Sequence, residues 1–217
     1  MRLDRLSLRW LTSRLLRRSI GGVGLAIAVQ ATVFTSEAGL ASEPGSTTIT
    51  LFDGIGVLED ISDYAIGSAD LTPTEDRILG FAAGQALGWL GDSVSLEVEG
   101  QVVRHYGRGD FWELGTTLVA RWQGLALPKW LGGWRLFEGW SVGVGPSLTT
   151  EIPPLESDRG RISYVLNQLM IEFLDPVPAG SPVQPVDRIH HRSGIFGLIN
   201  GIVGGSDYVG RGLQFRF

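Results

Sequence analysis

No cysteine occurs in this 217-residue chain, which excludes disulfides, thiolate metal sites and a Cys nucleophile. Only three His are present, His105, His190 and His191. Their spacing offers no ligand set, so no metal is expected, and a Ser-His-acid mechanism would require no cofactor. Beyond residue 34 no apolar stretch approaches the roughly twenty residues that a membrane-spanning helix requires. If the mature chain is integral to a membrane, a closed β-barrel is the one architecture left to it. The pairs Gly132-Gly133 and Gly204-Gly205 open no strand-to-helix phosphate loop, and they read as turns.

Basic charge is scarce once the first residues are passed. Residues 1–18 hold Arg2, Arg5, Arg9, Arg14, Arg17 and Arg18 against one acid, Asp4. The apolar stretch Ile20 to Phe34 and the small residues Ala38-Gly39-Leu40-Ala41-Ser42 follow. That order is the basic, apolar and small-residue pattern of a secretory signal, and the apolar part is too short to span. The chain divides on this reading into a signal peptide, 1–41, and one domain, 42–217. The domain carries 12 basic and 21 acidic residues, a net charge of −9. Phosphate neutralisation needs clustered Lys and Arg, so nucleic acid is not an expected partner.

What the domain does contain is glycine, at about twice the usual share, and apolar alternation with a period of two. Eight runs from Thr48 onward suit strands. In 111–122 the even positions are Trp112, Leu114, Thr116, Leu118, Ala120 and Trp122, against Glu113, Gly115, Thr117 and Arg121. An apolar face with Trp at each end is the pattern of a membrane strand crossing two aromatic girdles. Runs 94–106, 140–151, 162–174 and 207–217 alternate likewise, while 78–90 and 48–57 are weaker, and both 162–174 and 78–90 also suit a helix. Residues 124–139 read as a long loop or interfacial segment. Glu97 and Glu99 share a lumen-facing row, and His105 reads as a rim or lumen residue. Polar residues inside and bulky ones outside invert a soluble barrel. The expected fold is therefore all-β: an eight-stranded, antiparallel, up-and-down transmembrane barrel.

Two polar residues break the outward row of the penultimate strand. His191 and Ser193 share the phase of Ile189 and Ile195, which should meet lipid, where a charge near the bilayer centre costs about 2–4 kcal/mol. A hairpin centred near Asn200 sets Ser193 opposite Asp207 and His191 opposite Val209, with all three polar groups on one outward patch. A Ser nucleophile needs an imidazole to take its proton, and the imidazole needs a carboxylate to fix its tautomer. With the C-terminus at the periplasmic rim, this patch lies near the outer leaflet. Arg192 and Arg211 are candidate contacts for lipid phosphates. His190 falls in the lumen-facing phase.

The segment 188–217, RIHHRSGIFGLINGIVGGSDYVGRGLQFRF, resembles the C-terminal part of the lipid A deacylases, or acyloxyacyl hydrolases. The run SLEVEGQVVRHYGRGDFWELGTTLVARW is similar to that family's middle strands. The resemblance implies an eight-stranded outer-membrane barrel that removes an ester-linked acyl chain from lipid A. It implies His191 as base, Ser193 as nucleophile and Asp207 as the acid. The chain departs from the family in having Gly194 after the Ser, where an Asn is expected, which makes backbone N–H groups near Gly194 the oxyanion candidate. The acid is Asp instead of Glu and sits about two residues further along. The rival readings are a non-catalytic barrel whose polar patch grips lipid headgroups, and a soluble lipocalin-like binder with its bulky phase turned inward.

Overall fold

The computed structural model describes residues 44–61, 71–91, 93–126, 135–160, 163–178 and 181–217. The expected signal peptide and the core of the 124–139 loop lie outside these residues. Eight strands are formed: β1 (Thr47–Val57), β2 (Pro73–Leu90), β3 (Val94–Tyr106), β4 (Phe111–Ala126), β5 (Arg135–Thr149), β6 (Val165–Leu174), β7 (Val183–Ser193) and β8 (Gly205–Arg216). A five-residue helix, α1 (Pro154–Asp158), lies between β5 and β6. Each strand pairs antiparallel with its neighbour in sequence, and β8 closes on β1 to complete the barrel. The helix-compatible stretch 78–90 is strand, as is 162–174 from Val165 onward. The predicted 124–139 loop is shorter than expected, because β4 runs to Ala126 and β5 begins at Arg135. No helix among the described residues is long and apolar enough to cross a membrane.

Alternation decides which way the wall faces. Leu79, Leu114, Leu118, Val144 and Leu213 point outward and are exposed. Their neighbours in the other phase, Glu97, Glu99, Gln101, Arg121, Gln168, Glu172 and Arg188, are buried in the lumen. This is the distribution of a barrel whose outer wall meets hydrocarbon, and it is opposite to the one a soluble binder needs. The lumen charges compensate one another. Arg188 donates to Glu172 at 2.8 Å, Glu99 at 2.9 Å and the Gln101 carbonyl at 2.8 Å. Arg121 Nε donates to Glu97 at 2.9 Å. Buried charges survive only when paired and hydrogen-bonded in this way.

Toward the end opposite Phe217 one side of the lumen is apolar. Phe52, Ile78, Ala82, Val103, Leu155 and Tyr208 form one buried cluster. Leu155 belongs to α1, so the helix plugs this end and carries its neighbour Glu156 inward. Gly80 makes the cluster possible, since a Cβ there would stand 2.0 Å from the Phe52 ring. The same end bears the connections 58–72, 107–110, 150–164 and 194–204, and the site lies among them.

Candidate functional site

Three consecutive residues of β7 point alternately in, out and in, and the inward two hold the strand. His190 Nε2 lies 3.1 Å from Glu113 Oε2. Glu113 also meets His105 Nε2 at 2.8 Å and accepts from Ser147 Oγ at 2.6 Å. Arg192, wholly buried, donates to Ser147 Oγ at 2.9 Å, Glu156 Oε1 at 2.5 Å and the Tyr164 carbonyl at 3.3 Å. Glu156 accepts a further bond from Ser206 at 2.9 Å. Burial pushes the Glu156 carboxyl up to about 7, against the pull of the Arg192 guanidinium. With both flanking side chains pinned in the lumen, the residue between them, His191, must face outward.

On the outer face His191 stands directly opposite Asp207, and Ser193 opposite Gly205. The predicted register is thus corrected by two residues: the hairpin is centred on Ile199, not Asn200. The 194–204 loop closes through Gly194 N–H to Gly204 O and Ile199 N–H to Gly194 O, which fixes its centre one residue earlier. A two-residue slip preserves the phase, so the three polar groups stay on one face. The corrected pairing puts His191 Nδ1 2.7 Å from Asp207 Oδ1. With the carboxylate on Nδ1, Nε2 is the free acceptor, and it lies on the strand face that Ser193 shares two residues on. Ser193 Oγ makes no hydrogen bond among the described residues.

His191 and Ser193 line one groove of about 550 Å³ with Val144, Asn167, Leu169, Phe196 and Val203. Its walls are mostly apolar and it lies on the lipid-facing side of the wall, the shape and polarity an alkyl chain would fill. Arg159 closes the neighbouring loops over the acid. It donates to Asp60 at 3.0 Å, to the Gly205 carbonyl at 2.7 Å and to the Leu58 carbonyl. Its Nη1, the nitrogen that meets Asp60 and Gly205, lies 3.6 Å from Asp207 Oδ2. Asp207 is fully buried in consequence, and His191 retains 6% exposure.

The turn after the nucleophile candidate is strained. Ile195 and Phe196 have φ of 49° and 52°, left-handed values that a β-branched residue adopts at a cost of order 1–3 kcal/mol. Their N–H groups donate no hydrogen bond among the described residues, whereas Gly194 N–H reaches Gly204 O at 3.3 Å. The two Arg candidates fall elsewhere. Arg192 belongs to the lumen because of its even phase, so it cannot meet a lipid outside the wall. Arg211 is exposed on the outer wall but four residues below Asp207. There it donates to Asp187 at 2.7 Å and to Asp175, beside the β6–β7 connection at the far end, at 3.0 Å. Neither contacts the groove.

Sequence reasoning passed over Asn167, Arg159 and Glu156. Asn167 had a usable signal, being the polar residue in the outward row Val165, Asn167, Leu169, Ile171. Arg159 and Glu156 had none, since the α1 loop carries no periodicity.

No protein-family model matches the chain, and no curated protein matches it either. Among solved structures it is similar to the crystal structure of the outer membrane enzyme PagL. The two share 9% identity with a TM-score of 0.49, over 77% of this chain and 98% of that one. The chemistry of the site rests on its own geometry.

Proposed function

We propose that this protein is an outer-membrane esterase that removes an ester-linked acyl chain from lipid A. The observation that carries this reading is the His191–Asp207 bond of 2.7 Å on the outer wall, beside Ser193 in a largely apolar groove. A His–Asp pair and a Ser in the outward phase are costly in a lipid-facing wall, and the lumen charges do not call for them, since Arg121 and Arg188 pair with lumen carboxylates. Its substrate must reach it through the membrane plane, with acyl chains alongside the wall and the ester near the rim. Residues 1–41 act as the export signal, and 42–217 fold as the barrel.

Ser193 Oγ attacks the acyl carbonyl carbon while His191 Nε2 takes its proton. Asp207 keeps His191 in the Nδ1–H tautomer and stabilises the imidazolium that forms. Collapse of the tetrahedral species breaks the bond from carbon to the alkoxy oxygen, and His191 returns the proton to that leaving oxygen. Water, deprotonated by His191, then cleaves the acyl–Ser193 ester and releases the fatty acid. The unpaired N–H groups of Ile195 and Phe196 offer backbone donors for the carbonyl oxygen, a task Gly194 cannot share while bonded to Gly204. The mechanism needs no cofactor.

The test is incubation of the refolded protein with purified lipid A in detergent micelles, reading released fatty acid by mass spectrometry. The wild type should release one acyl species and Ser193→Ala none above background. Release that survives Ser193→Ala would overturn the mechanism, and no release by the folded wild type would favour a barrel that only grips lipid.

A further inference from the structure

From the placement of Asn167 we infer that its side-chain amide is a catalytic group, donating an N–H to the oxygen that becomes negative when Ser193 attacks. The inference rests on the esterase reading and adds to it the stabilisation of the transition state. Asn167 on β6 is the direct register partner of Ser193 on β7. Residues so opposed have Cβ atoms about 4.5–5.5 Å apart, within reach of a group bonded to the Ser oxygen. Both side chains line the same groove.

Two other donors near Ser193 are spent. Gly194 N–H is bonded to Gly204 O at 3.3 Å. Asn200 Nδ2, the other amide nearby, donates to Ser163 Oγ at 2.7 Å and to the Val165 carbonyl at 3.3 Å, which uses both its hydrogens. Asn167 Nδ2 makes one bond, to the Gln168 carbonyl at 3.1 Å, and keeps its second hydrogen. Its position is also costly without a task. Val165, Leu169, Ile171 and Phe173 fill the rest of the outward row of β6, and an amide among them is out of place beside lipid. That is the anomaly His191 and Ser193 show on β7, one strand away. Together with the backbone N–H groups of Ile195 and Phe196, Asn167 gives the developing oxyanion donors from two separate elements.

Asn167→Leu removes the donor at similar volume and suits a lipid-facing wall, while Asn167→Gln retains the amide one methylene further out. Each is compared with wild type and Ser193→Ala on lipid A in mixed micelles, after heat-modifiable gel migration has shown that every barrel is folded. Loss of an oxyanion donor lowers kcat by roughly 10²–10³-fold. Asn167→Leu should fall in that range with KM within about threefold, and Asn167→Gln should recover part of the rate. A folded Asn167→Leu protein with kcat within about threefold of wild type overturns the inference, while the loss of activity in Ser193→Ala keeps the esterase reading. A fall in Asn167→Leu expressed in KM alone also overturns it, since that marks ground-state binding. Inactive wild type, or active Ser193→Ala, removes the reading and the inference together.

Discussion

Asp207 faces His191 across the β7–β8 ladder, with Oδ1 2.7 Å from Nδ1 and the carboxylate fully buried. Direct opposition at 2.7 Å suits the reach of Asp, and Glu would carry the carboxylate one methylene further. Asp207→Glu should therefore push the carboxylate past Nδ1 and lose activity, even though both are acids. Asp207→Asn preserves the shape but can present an N–H to Nδ1, which favours the tautomer with the proton on Nε2. Such a change lowers kcat on the order of 10⁴-fold in triad enzymes. Acyl release measured for both variants checks this, and an Asp207→Asn protein within tenfold of wild type would remove Asp207 from the triad.

Parity made most of this wall readable. In β4 and β7 the outer phase is bulky or anomalous and the inner phase polar, so the barrel and the outward placement of His191, Ser193 and Asp207 follow from counting by two. Parity also assigned His190 to the lumen, where it meets Glu113. What it could not set was register, because a slip of two residues leaves every face unchanged. The closure of the 194–204 loop made that choice, and it moved the acid from Ser193 to His191. Parity was at hand for Arg192 as well, but its charge drew the reading toward a lipid phosphate. Arg159 and Glu156 come from an aperiodic connection, and only the fold brings them to β8.

Arg188 shows what the lumen charges contribute to stability. It is buried between Glu99, Glu172 and Gln101. Arg188→Ala leaves two carboxylates without their shared cation, and breaking a buried pair costs about 3–5 kcal/mol. Urea unfolding in phospholipid vesicles should show a loss of that order. A loss under about 1 kcal/mol would mean that water enters the lumen and solvates the acids.

Ile195 sets stability against activity. Its φ of 49° is one that glycine adopts freely and a β-branched residue does not. Ile195→Gly should stabilise the folded barrel by about 1 kcal/mol, the relief of left-handed strain less the entropy of glycine. The same change removes an apolar wall from the groove and loosens the turn that aims the 195 and 196 N–H groups, so acyl release should fall. A variant that is both less stable and fully active would show that the turn is neither strained nor used.

Glu156 supplies a pH dependence with a definite sign. Its carboxyl is held at about 7 in the folded protein, by burial, against an ordinary value of 4.5. Between those values the folded state keeps a proton that the unfolded chain has released. Stability from this group is therefore greatest at low pH, declines as pH rises from about 4.5, and levels off once pH exceeds about 7. At about 1.4 kcal/mol per unit the full change is roughly 3 kcal/mol. Glu156→Gln can accept from Arg192 and Ser206 through its carbonyl without titrating, so its stability should fall less across this window. The measurement is the difference in unfolding free energy between wild type and Glu156→Gln from pH 4.5 to 8, in which other titrating groups cancel. The variant should gain on the wild type as pH rises, and a difference that is flat with pH would place the Glu156 carboxylate in a permanent ion pair with Arg192.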